Sequence, residues 1–151
     1  MISNVYSVPF AEITVAAEQD LITVLAGATD GFWVLRAWLA NVDVETNEQI
    51  ALSIHRTSTT GSAGAAVTPA VFDPRSEAFP GTARRNDTTR GTISGISLLP
   101  DGAANLSGWL WVPTPEERIW VQAGVTNRIV FGLETATPAS MVMSGGLLIG
   151  T

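Results

Sequence analysis

An all-β sandwich is the fold class predicted by three features of the sequence. Apolar residues alternate with period two in short runs, turn-forming residues separate those runs, and no sustained 3.6-residue stripe occurs. In chain order, residues 10–15 and 20–26 are weak runs of this kind, followed by the turn chemistry of Gly27-Ala28-Thr29-Asp30-Gly31. Ile50, Leu52 and Ile54 alternate with Ala51, Ser53 and His55, which predicts a strand with one face suited to a core. Pro100-Asp101-Gly102 and Pro113-Thr114-Pro115 read as turns, and 115–119, a proline followed by two glutamates, can open one helical turn. Residues 119–122 are another weak strand. Ile129, Phe131 and Leu133 then alternate with Arg128, Val130 and Glu134, and 140–145 closes the series.

Two segments depart from the rule that a sandwich strand keeps one face polar. Across 31–42, Trp33, Leu35, Ala37 and Leu39 share one side, while Phe32, Val34, Trp38 and Ala40 surround Arg36 on the other. Across 106–112, Leu106, Gly108, Leu110 and Val112 oppose Ser107, Trp109 and Trp111. A strand apolar on both sides must be covered on both sides. Loops folding over the second face would do this, and so would a subunit interface, where aromatics are enriched. Trp33, Trp38, Trp109 and Trp111 are therefore the candidate interface residues.

Composition points the same way. The 151 residues are 46% hydrophobic but only 15% charged, against about 25% charged in ordinary soluble domains. That length fits a single domain spanning 1–151 and buries enough surface to need no staple. With no cysteine and one histidine, disulfide scaffolds, thiol catalysis and zinc sites are excluded. The net charge of −6 disfavours a nucleic-acid partner. No membrane span is expected, because the longest charge-free stretch, 135–151, holds Pro138, Ser140, Ser144 and Gly145-Gly146. No secretory signal is expected either, since the first basic residue is Arg36. All basic residues are arginine.

The middle of the chain is compositionally distinct. Residues 57–70 are rich in Ser, Thr, Gly and Ala, and 72–90 mix Pro, Gly, Asp and four arginines. A connection of this length (about 57–90) reads as an ordered excursion that leaves the sandwich and touches something. Phe72 and Phe79 are its anchors, and Pro69, Pro74 and Pro80 stiffen it.

Residues that could carry chemistry are few. His55 is the sole imidazole and, beside Arg56, is expected in a solvated or rim position. Gly91-Thr92-Ile93-Ser94-Gly95 lacks the spacing of a nucleophile elbow. Glu116-Glu117 has no matching cleft for glycoside hydrolysis and instead favours a helical N-terminus. Asn41, Asp43, Glu45 and Asn47 alternate but lack the EF-hand glycine and terminal glutamate. A lysine-free chain cannot supply a P-loop lysine. No catalytic residue, metal or cofactor is therefore expected. Arg84-Arg85, with Arg75 and Arg90 nearby, is the one basic cluster, suited to solvated loops or to an acidic protein surface.

Several segments together resemble small structural proteins of tailed bacteriophages and prophages. They are Ile54-His55-Arg56-Thr57, the Gly/Ser run at 60–64, Phe79-Pro80-Gly81-Thr82 with Asn86-Asp87-Thr88-Thr89, and Val112-Pro113-Thr114-Pro115-Glu116-Glu117-Arg118. Ser140-Met141-Val142-Met143-Ser144-Gly145 extends the likeness, which runs from about Leu52 onward. The closest functional type is the capsid decoration, or cement, protein. This resemblance implies a jelly-roll-like sandwich and a homotrimer on the outer surface of the virion that bridges major capsid protein subunits. Trp33, Trp38, Trp109 and Trp111 would then lie between subunits, and Phe72, Phe79, Arg84 and Arg85 would contact the shell. A glycan-binding module on a fibre or tail tip is the competing expectation, since jelly rolls also serve as lectins. Another head or tail structural subunit is a third.

Overall fold

The computed structural model describes residues 2–43, 47–134 and 140–151. Its strands are β1 (Val5–Val15), β2 (Gln19–Leu25), β3 (Phe32–Asn41), β4 (Gln49–His55), β5 (Ala65–Val67), β6 (Ala70–Val71), β7 (Thr82–Asp87), β8 (Leu99–Ala104), β9 (Trp109–Trp111), β10 (Ile119–Val121), β11 (Arg128–Leu133) and β12 (Met141–Gly150). A single 3-10 turn at Pro115–Glu117 precedes β10, and Glu117 caps it by accepting the Thr114 N–H. The first sheet runs β10–β3–β12–β1–β6, with β9 also on β3. The second runs β5–β7–β2–β11–β4–β8. Set aside β5 to β7, and β1–β12–β3–β10 faces β2–β11–β4–β8, which is the jelly-roll strand order. The expected all-β, jelly-roll-like sandwich is the fold.

Alternation dictates which side chains make the core. Tyr6, Val8 and Phe10 of β1, Met141, Met143, Leu147 and Ile149 of β12, and Ile129, Phe131 and Leu133 of β11 all point between the sheets and are buried. Along β3 the register passes from Arg36 opposite Leu148 to Val34 opposite Ile149, so Leu35 is one residue too many. This bulge reverses the phase of the strand. Phe32 and Val34 before it, and Ala37 and Leu39 after it, all enter the core, leaving Trp33, Arg36, Trp38 and Ala40 outside. The strict alternation that grouped Trp33 with Ala37 and Leu39 is corrected on this ground.

Two further expectations are corrected. Pro100-Asp101-Gly102 is not a turn but part of β8, where a proline and a glycine are tolerated because β8 is an edge strand. The middle segment is not an excursion away from the sandwich. It contains β7, which pairs with β2, β5, which pairs with β7, and β6, which pairs with β1. Its flanks, 56–64 and 88–98, bridge each other at Thr57–Ile93 and Ser62–Thr89 and lie over the outer face of the second sheet. Gly91 N–H donates to Asp20 Oδ2 at 2.8 Å, and Arg128 Nη1 donates to Thr60 Oγ1 at 2.8 Å. What this segment touches is its own sandwich, at both sheets.

Candidate functional site

The two outer faces of the sandwich differ in kind. On the first sheet, Trp120 of β10 stands opposite Trp33 of β3, their rings 4.9 Å apart and tilted by 49°. Trp120 is 41% exposed. Gly31 makes room for it, because a Cβ there would lie 2.5 Å from Trp120 Cζ2. Further along β3 the Arg36 guanidinium carbon sits 5.4 Å from the centre of the Trp38 ring, a cation–π arrangement. Opposite Trp38, Leu110 of β9 is 64% exposed. Arg36, Trp38, Trp109 and Leu110 help line a shallow groove of about 490 Å³. Arg56 Nη2 donates to the Trp120 carbonyl at 2.9 Å, and Arg118 lines a neighbouring hollow with Trp33. Among the described residues Arg36, Arg56 and Arg118 form no ion pair, whereas Arg75, Arg84 and Arg90 each do. The face is aromatic with unpaired cations, on a chain of net charge −6.

Trp109 and Trp111 belong to the other side of the same sheet. They pair with Leu39 and Ala37 and pack against the core. Trp109 stacks on Phe131 at 5.3 Å, and its indole N–H donates to Asp101 at 2.9 Å. That bond, with one from Gly102 N–H, holds the Asp101 carboxyl below its ordinary range. These two indoles are thus half-buried inside their own fold.

The outer face of the second sheet is polar and sealed. Ser53 and His55 of β4 share it with Asp20 of β2 and with Glu134, which follows β11. His55 is fully buried, which corrects the expected solvated position; the segment that follows it, 56–64, is folded back over it together with the distant 88–98. Ser53 Oγ lies 2.6 Å from His55 Nδ1 and also donates to Glu134 Oε1. Arg90 grips Glu134 with two nitrogens, at 2.7 and 2.9 Å, and reaches Asp20 Oδ1 at 3.2 Å. Burial pushes the imidazole below its usual range, against the pull of Glu134 and Asp20. Burial also raises Asp20, more than the bonds from Gly91 and Arg90 lower it. For the shallower Glu134 burial again acts upward, but the hydrogen bonds from Arg90 and Ser53 prevail and hold it low. At neutral pH the cluster holds a neutral histidine beside an ion-paired arginine.

This is not a nucleophile relay. Ser53 and Glu134 both approach the Nδ1 side of the ring, whereas a relay places serine on one nitrogen and carboxylate on the other. Ser53 itself is sealed from solvent. Among the described residues no His, Cys, Asp and Glu group is placed to hold a metal. Glu45, one of the alternating polar residues, lies outside the described residues.

The remaining sequence candidates are scattered. Phe72 is 62% exposed, whereas Phe79, expected at an external contact, is 8% exposed and packs edge-on against Tyr6 and Phe32. Arg84 and Arg85 are half-buried, and Arg84 is turned onto Asp87 at 2.7 Å. Arg75 pairs with Asp73 and Arg90 with Glu134, so the basic cluster of the sequence is dispersed among separate partners. Sequence reasoning missed Trp120, although alternation with the apolar Ile119 and Val121 on either side would have turned it outward. It also missed Asp20, Arg90 and Glu134, which carry no local signal. No protein-family model, no curated protein and no solved structure matches the chain.

Proposed function

We propose that this chain is a non-enzymatic structural protein that assembles with copies of itself by covering the tryptophan face of the first sheet. Following the resemblance of its segments to tailed-phage proteins, the assembly is read as a homotrimer on the outer surface of the virion head. There it would act as a decoration, or cement, protein bridging major capsid subunits. One observation supports this reading most: the chain seals the outer face of one sheet with its own segments and leaves Trp120, Leu110 and Val112 at the other exposed, beside the half-buried Trp33 and Trp38. Exposed apolar surface of this kind marks interaction sites. Jelly rolls serve in capsids and lectins alike, so the fold does not choose between them.

Trimerisation would link three modest contact patches and gain avidity without one strong site. Arg36, Arg56 and Arg118, which form no ion pair among the described residues, suit a carboxylate-bearing neighbour. Phe72 and Arg85 remain candidates for the shell contact. Light scattering on the purified chain tests the assembly: three copies are expected, and a monomer at every concentration overturns it. Binding to capsids stripped of decoration, with capture of the major capsid protein, tests the shell.

The groove between Trp38 and Leu110 favours a second reading, a glycan-binding module, because an aromatic platform with Arg36 beside it suits a sugar ring. Quenching of tryptophan fluorescence by host polysaccharide, without capsid binding, selects it.

A further inference from the structure

We propose that segments 56–64 and 88–98 form an acid-released cover over the second sheet, with His55 as the group that takes up the proton. The geometry begins with the tautomer. Ser53 spends its hydroxyl proton on Glu134, so the 2.6 Å contact with His55 is an Nδ1–H donating to Ser53 Oγ. His55 Nε2 is then a bare lone pair, buried and with no partner among the described residues. Thr23 Oγ1 and Thr57 Oγ1 are likewise buried and unpartnered. Thr23 lies on the same outer face, two strands from His55 across Val130. Lifting the cover returns all three atoms to water, a gain that favours opening here.

The charged groups around the imidazole explain why a proton would lift it. Glu134, beyond β11, lies 3.5 Å from Nδ1, and Asp20 approaches from β2. Both favour the charged ring. Arg90, from the cover, opposes it, and Glu18 lies farther out at 3.7 Å from Arg90. A point 2.9 Å from His55 Cε1, above Gly132, is also 3.2 Å from Arg90 Nη2, so ring and guanidinium are close neighbours. Asp87 and Arg84 on the same face are occupied by each other, and Arg128 by Thr60 and Thr126. The one charged side chain of cover segment 56–64 is Arg56, which is turned away onto the Trp120 carbonyl at 2.9 Å. An imidazolium therefore gains an Nε2–H without an acceptor, sits beside a like charge, and competes with Arg90 for Glu134. Arg90 is the side chain that ties 88–98 to both Glu134 and Asp20, so weakening its hold frees the cover. The inference does not depend on the proposed assembly.

Amide hydrogen exchange on the untagged chain, at about pH 7.5 and about pH 5 and corrected for intrinsic rates, tests it. Peptides from 56–64 and 88–98 are expected to gain exchange several-fold in acid, while those of β3 and β12 do not. His55→Gln is expected to abolish that acid gain. An equal gain in His55→Gln assigns the effect to Asp20 or Glu134 and overturns the proposal, as does a gain spread over every strand or no gain at all. Nitrogen NMR of the single imidazole supplies a readout that needs no variant. A neutral Nδ1–H ring that takes its proton only as the cover opens is expected; a ring titrating in the usual range with the cover closed overturns the proposal.

Discussion

Trp38 and Gly146 stand opposite each other on β3 and β12, and the indole Cζ2 lies 3.0 Å from where a Gly146 Cβ would project. The missing side chain is the seat of the ring. The same Cβ would also fall 2.5 Å from the Val8 carbonyl oxygen, which is backbone and cannot swing aside. Gly146→Ala is expected to cost about 1–3 kcal/mol, as overpacking does, seen as a lower urea midpoint at unchanged slope. A wild-type midpoint would refute the close fit.

Trp120 and Trp109 separate surface from core. Trp120→Ala removes an exposed ring and is expected to lower the mass of the assembly while leaving the melting temperature nearly unchanged. Trp109→Ala strips a ring stacked on Phe131 and is expected to cost about 2–3 kcal/mol, less than for a fully buried tryptophan. If Trp109→Ala alone dissociates the assembly, the assignment of the two faces is reversed.

Arg90→Ala leaves Asp20 and Glu134 facing each other's surroundings without their shared cation. Hydrogen bonds to charged groups and half-broken buried pairs set the expected loss at about 2–3 kcal/mol. Arg90→Lys restores the charge but not the two-nitrogen grip, so it is expected to recover only part of the loss in chemical denaturation.

Stability should depend on pH with a definite sign. His55 is held below its ordinary 6.5, so the unfolded chain binds a proton that the folded chain refuses. Its contribution is complete above about pH 6.5 and is lost as the pH falls below that value, by at most about 1.4 kcal/mol per pH unit. Glu134, held below its ordinary 4.5, adds a loss of the same sign at lower pH. Asp20, raised above 3.8, offsets part of it, because its buried carboxyl is easier to keep once protonated. Denaturation midpoints measured from about pH 8 to about pH 5 should decline for the native chain and stay flat for His55→Gln. Parallel declines would remove His55 as the cause.

The architecture was legible because period-two alternation is local. Ile50, Leu52 and Ile54, and Ile129, Phe131 and Leu133, enter the core as their spacing predicts. What failed was non-local or irregular. A single bulge at Leu35 exchanged the faces of β3, and nothing in the composition of 31–42 marks it. Polar, glycine-rich 56–64 reads as solvated, yet it buries His55 because its partner 88–98 lies some thirty residues on. The arginines of 75–90 looked like one patch, but Arg75, Arg84 and Arg90 each take their own carboxylates, which only the fold decides. The Ser53 and His55 pairing was half visible, as two residues on one face of one strand.

The strand order also has a consequence for synthesis on the ribosome. β12 lies between β1 and β3, and β11 lies between β2 and β4, so the middle of each sheet is supplied by strands that follow all the others in sequence. Until residues 128–150 emerge, nothing links β1 to β3 or β2 to β4, and each sheet stays in two separate pieces. Nascent chains of this protein should therefore depend on holding chaperones until β11 and β12 have been made, and a stop codon before β11 should yield aggregates rather than a smaller domain.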